Sequence, residues 1–207
     1  MDKETFLKQI EINVKSCKKC RLCEMAKNAV PGEGNINAEI VFIGEAPGET
    51  EDLTGRPFVG RAGKLLEASL AEIGLQRADV WIGNIIKHRP PENRDPLPDE
   101  ISACEPYLAL QLKAIAPLLI VTLGRFSMSY FYPEGKISRD RGHMLKTDLY
   151  NVYPVYHPAA ALRNPTMMKD FKDDFLRIPR IIELVKKGNL EKIENTQDQN
   201  GQLGLSF

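Results

Sequence analysis

Cys17, Cys20 and Cys23 form a C-x2-C-x2-C run, and a fourth cysteine, Cys104, lies far downstream. Thiolates are soft donors, so this spacing points first to metal ligation: four cysteines would hold a 4Fe-4S cluster, and a tetrahedral Zn ion would accept a similar set. A disulfide framework is the weaker reading. The N-terminal stretch MDKETFLKQIEINVKS has neither the apolar core nor the small-residue cleavage site of a secretory signal. A second set of chemically able residues stands apart from the cysteines. In GEAPGETEDLTGRPFVGRAG (44–63), Gly44, Pro47 and Gly48 build a sharp turn whose backbone N–H groups can face a planar ligand or an anion, and Phe58 offers a stacking surface. The stretch lacks the Gly-Lys-Ser/Thr ending of a P-loop and the G-x-G-x-x-G of a dinucleotide site. Asn84, with an amide that both donates and accepts, and His157, a titratable imidazole, each follow an apolar run. Taken singly each has a plainer reading: Asn84 as a turn former, Phe58 as a core plug, His157 before Pro158 as a strand terminator.

These residues need a scaffold, and the hydrophobic pattern supplies one. Phe6, Ile10 and Val14 fall at helical spacing, which predicts a helix over 2–15 leading to the cysteines. Apolar runs at 39–43, 79–86, 118–123 and 151–156 read as buried strands. Helical periodicity over Ala62–Ile73 stops at Gly74, Asp99 caps a helix running to about Ala116, and a short helix covers Gly124–Tyr132. Strands alternating with helices predict a three-layer α/β/α domain around a central, mostly parallel four-stranded sheet. In such a sheet the ligand crevice lies at the carboxyl ends of the strands, where loops begin at Gly44, Asn84, Gly124 and His157. With 43% hydrophobic residues the chain can bury one core. We expect a domain over 1–188 and a polar, flexible tail over 189–207. Lys plus Arg (28) equal Asp plus Glu (28), so a nucleic-acid partner would be held by local basic clusters and not by a global field. No apolar run is long enough to span a membrane, and the expectation is a cytoplasmic monomer.

Three stretches, GEAPGETEDLTGRPFVGRAG (44–63), WIGNIIKHRPPENRDPLPDE (81–100) and VYHPAAALR (155–163), each at a strand end, together resemble the motifs of the family 4 uracil-DNA glycosylases, which carry an iron-sulfur cluster. The resemblance implies a monofunctional DNA repair enzyme that flips uracil from single- or double-stranded DNA and hydrolyses its N-glycosidic bond, leaving an abasic site. It implies a uracil pocket of Gly44, Glu45, Ala46, Gly48, Phe58, Asn84 and His157, in which Asn84 pairs with O4 and N3 and Phe58 stacks on the ring. Backbone N–H groups near Glu45 and Ala46 would hold a uracil oxygen, and His157 would donate to O2. Leu162 would be the wedge entering the DNA minor groove, with Arg163 and Lys87 on phosphates. The cluster ligands it implies are Cys17, Cys20, His88 and Cys104, with histidine standing where the family usually has cysteine. A set using Cys23 in place of His88 stays open, as does Zn in place of iron.

This sequence departs from related glycosylases in two further ways. Ala46 stands where some of them place a carboxylate that positions water, which leaves Glu45, Glu49 or unassisted water addition. Gly48 stands where some carry an aromatic that blocks thymine, so Phe58 or Glu49 inherits that task. The loop RPPENRDPLP holds no basic insertion and no further histidine, and so implies ordinary hydrolytic release. The ending Gln202-Leu203-Gly204-Leu205-Ser206-Phe207 resembles the hexapeptide that binds the bacterial replication sliding clamp. The rival readings are a non-enzymatic iron-sulfur redox or DNA-binding protein, and a glycosylase for another deaminated base such as hypoxanthine or xanthine.

Overall fold

The computed structural model describes residues 1–188; the tail reading and the clamp hexapeptide lie outside the described residues. The chain order is α1 (Lys3–Lys15), β1 (Glu33–Gly34), β2 (Ile40–Gly44), α2 (Glu49–Thr54), α3 (Arg61–Glu72), β3 (Trp81–Asn84), α4 (Pro98–Ile115), β4 (Leu119–Leu123), α5 (Arg125–Phe131), α6 (Ile137–Asp140), β5 (Leu145–Lys146), β6 (Asn151–Val155), α7 (Pro158–Ala161) and α8 (Pro165–Lys186). The six strands lie in the order β1-β3-β2-β4-β6-β5. The four central strands pair in parallel, while β1 and β5 add short antiparallel edges. The expected four-stranded sheet is therefore the centre of a six-stranded one. The two edge strands have two residues each, too few to display a period of two.

The central strands are apolar on both faces because both are covered. Ile40, Phe42, Ile82 and Val121 pack with Leu66 and Leu70 of α3 and Phe171, Phe175 and Ile178 of α8. Their neighbours Val41, Ile43, Trp81 and Ile120 pack on the other side with Cys104, Leu108, Leu112 and Ile115 of α4. Helix α1 joins this second side through Ile10 and Val14 against Tyr107. The result is the predicted three-layer arrangement.

Two boundaries differ from the sequence reading. Helix α4 starts at Pro98, so Asp99 lies in its first turn, where Arg21 holds it at 2.5 Å. The free N–H of Leu97 is instead satisfied by the buried Glu100 carboxylate at 2.9 Å, which also takes both Nη atoms of Arg94 at 2.6 and 2.9 Å. Strand β3 ends at Asn84 and not at Ile86, but Ile85 and Ile86 still donate to the carbonyls of Gly44 and Glu45, at 3.0 and 3.2 Å. The exits of β2 and β3 are thereby clamped side by side.

Candidate active site

Because the four parallel strands are neighbours, Gly44, Asn84, Gly124 and His157 come together along one edge. Asn84, Gly124 and His157 line a cleft of about 690 Å³ together with Glu45, Ala46, Gly48, Phe58, Leu162 and Arg163. Its floor is the Asn84 amide. The residue is 1% exposed, and neither Oδ1 nor Nδ2 has a hydrogen-bond partner within the protein. A buried amide left unpaired costs roughly 1–3 kcal/mol per group, so the fold carries a cost that a ligand with a complementary edge would offset. Gly44 makes the room: a Cβ there would lie 2.5 Å from Asn84 Oδ1 and 2.5 Å from Phe58 Cζ.

Phe58 is held beside that amide by an unusual backbone. Its φ of 51° lies in the left-handed region, costly for an aromatic residue. The surroundings fix it. Arg77 donates to the carbonyls of Phe58, at 2.9 Å, and Pro57. Gly63 lets α3 pass so closely that a Cβ would lie 1.9 Å from Phe58 O. The Glu51 carboxylate accepts from Gly48 N (3.2 Å), Val59 N (2.8 Å) and Gly60 N (2.7 Å), stapling the two ends of the loop. Glu51, Arg77 and Gly63 escape a sequence reading because their work is on backbone groups far along the chain; only the glycine and the excess of loop residues hint at it.

His157 forms the opposite wall, its ring centroid 5.9 Å from that of Phe58 and tilted by 37°. Its Nδ1 accepts from Ala159 N at 3.1 Å. In the neutral ring the proton must then sit on Nε2, which makes that atom a donor. Burial pulls the pKa of His157 down to about 4, helped by Arg163, so the ring is neutral at ordinary pH. Glu45 is half-buried at the rim, its pKa pushed up to about 7 by burial and then by Asp95, with Arg125 opposing. Asp95 and Arg125 pair across the cleft at 2.6 Å. Glu49 is exposed on α2 and is not part of the cleft wall.

Leu162, 38% exposed, closes α7 beside the cleft. Arg163 is exposed, with Nε donating to Ala159 O at 3.1 Å. The expectation for Lys87 is corrected. This side chain is 1% exposed, and its ammonium donates to Asn84 O and Gln111 Oε1, both at 2.9 Å, so no phosphate can reach it. Arg94, at the cleft wall and partly exposed, is paired with Glu100 at 2.6 Å.

The cysteines occupy a separate corner between α1 and α4. Burial raises the pKa of Cys20, with Cys17, Glu100 and Cys23 adding to the shift. Burial pushes Cys104 up to about 11; Cys20 and Cys17 add, against the backbone N–H of Lys87, which donates to Cys104 Sγ at 3.3 Å. His88 is buried, its pKa lowered by burial, and its Nδ1 has no partner. Cysteine sulfur and an imidazole nitrogen with no protein partner are the donor types a metal centre would use, the thiols losing their protons on binding. Among the described residues, however, no three such side chains converge closely enough to hold an ion as they stand.

A family model described as the Uracil DNA glycosylase superfamily matches residues 31–178, and the chain belongs to that superfamily. The type-4 uracil-DNA glycosylase of Saccharolobus solfataricus is 52% identical over 175 residues, covering 80% of this chain and 81% of that protein. Those of Archaeoglobus fulgidus (47% over 181 residues; 83% and 91% covered) and Thermotoga maritima (45% over 165; 78% and 86%) are similar. Within the superfamily, its place is among the type-4 enzymes.

Proposed function

We infer that this chain removes uracil from DNA, hydrolysing the bond between N1 of the base and C1′ of the sugar. The observation that carries the reading is the buried Asn84 amide, without a protein partner, at the wall of the cleft and packed with Phe58 against Gly44. Uracil presents an acceptor at O4 beside a donor at N3, which this amide can match, while cytosine presents the opposite pattern. The flipped ring stacks on Phe58. As the C1′–N1 bond breaks, both electrons go to the base, and His157 Nε2–H donates to the negative charge building on O2. Water adds its oxygen to C1′ and gives up a proton. Incubation with oligonucleotides carrying one uracil, thymine, hypoxanthine or cytosine tests this: free base should come from the uracil strand alone. Hypoxanthine release with uracil untouched would favour the rival glycosylase, and release from none the non-enzymatic reading.

Glu45, at the cleft wall, is the candidate to accept the proton of the water. With its pKa near 7, the carboxylate is the ionised form only above that point, so the single-turnover rate should rise as pH increases through about 7. Glu45→Gln should flatten this rise; an unchanged profile would remove Glu45 from the reaction.

Leu162 fills the gap left by the flipped nucleotide. Because that gap exists only in a duplex, Leu162→Ala should slow excision from double-stranded DNA about tenfold and leave single-stranded substrate nearly unaffected. Equal losses on both substrates would assign it to packing. Arg163, next in sequence and exposed, contacts the adjacent backbone phosphate.

Cys17, Cys20, His88 and Cys104 would hold a 4Fe-4S cluster; what supports this is the proximity of Cys17 and Cys20 to Cys104 and the Nδ1 of His88, which has no protein partner. When bound, the cluster ties the cysteine segment to α4 and the loop after β3, and it takes no part in bond cleavage. Iron content and visible absorbance of purified protein should fall on His88→Ala and be kept on Cys23→Ala. The reverse pattern would transfer the fourth position to Cys23, and stoichiometric zinc would replace iron in the account.

A further inference from the structure

Lys87 is the one lysine or arginine buried among the described residues, and its charge has no carboxylate partner there. A buried ammonium is costly unless something compensates it. Its two acceptors are neutral carbonyls, Asn84 O and Gln111 Oε1, each at 2.9 Å, and the Trp81 ring lies 5.9 Å away. The polar groups of Gln111 and the Lys87 main chain are tied down as well. Gln111 Nε2 donates to Pro31 O at 2.8 Å, Val30 N donates to Lys87 O at 2.7 Å, and Lys87 N donates to Cys104 Sγ. The ammonium thus grips the main-chain carbonyl of Asn84, the residue whose side-chain amide faces the cleft. A plain structural staple would need only a neutral donor at this place.

We propose that Lys87 is a positioning residue whose positive charge, acting through Asn84, stabilises the negative charge that develops on the departing base. The proposal rests on the uracil reading above. The low-dielectric surroundings let the field of this charge reach the cleft with little screening, and they hold it fixed before the reaction starts. Lys87 touches no substrate atom; it orients the recognition amide and sets the potential behind it.

The test compares single-turnover release of uracil and 5-fluorouracil from otherwise identical oligonucleotides by wild type, Lys87→Met and Gln111→Glu. Fluorine withdraws electrons, so the departing fluorinated ring bears its negative charge with less help from the protein. Lys87→Met should slow uracil release on the order of tenfold and 5-fluorouracil release by clearly less. Gln111→Glu keeps the lysine but sets a carboxylate against its ammonium, and it should show the same asymmetry. Losses that are equal for the two bases, or no loss, would overturn the proposal and leave Lys87 a staple. Should Lys87→Met not fold, Gln111→Glu decides alone. A wild type that releases neither base would instead defeat the uracil reading itself.

Discussion

Asn84→Ala should lower uracil excision by about 10²–10³-fold, because two hydrogen bonds in a desolvated pocket vanish together and each is worth roughly 1.5–2 kcal/mol there. Stability should move the other way or stay level. The wild-type amide is buried with no partner, so removing it relieves the empty protein of an unsatisfied group. A variant that is at least as resistant to heat yet nearly inactive is therefore the expected signature, and full activity would dismiss Asn84 as the reader of the base. Asn84→Asp extends the argument. A carboxylate repels uracil O4 but accepts from the amino group of cytosine, so uracil excision should collapse and a weak cytosine activity appear. The gain stays small because the second carboxylate oxygen meets the N3 lone pair of cytosine.

His157→Ala should cost a similar 10²–10³-fold, the usual loss when one donor to developing negative charge is removed. The expected pH behaviour separates this role from acid catalysis. With its pKa drawn down to about 4, His157 is neutral and donating from about pH 5 upward, so its own titration should leave the rate unchanged over that range. An imidazolium acting as an acid would instead give a rate that declines as pH rises through its pKa. Such a decline in wild type, absent in His157→Ala, would contradict the neutral-donor assignment.

How far the sequence discloses this arrangement depends on the kind of interaction involved. Strands β2, β3, β4 and β6 are legible because both faces are buried and the strands are mostly apolar. Gly44, Asn84 and His157 are legible as a set because parallel topology places strand ends together. Edge strands Glu33–Gly34 and Leu145–Lys146 carry no pattern, and helix α8 escapes notice despite Phe171, Phe175 and Ile178 at helical spacing, with Pro165 at its start and Pro179 inside it. The misreading of Lys87 is instructive: lysine is by type a surface residue, and only the turn that folds 85–88 beneath α4 shows its ammonium facing inward. Glu51 and Arg77, which hold the left-handed Phe58, act on main-chain atoms and leave no motif.

The structure of the protein bound to free uracil tests the central claim most directly. The account predicts the ring stacked on Phe58, its O4 and N3 on the Asn84 amide, and O2 within hydrogen-bonding distance of His157 Nε2. Uracil lodged elsewhere, or seated in the cleft with O4 and N3 turned away from Asn84, would contradict it.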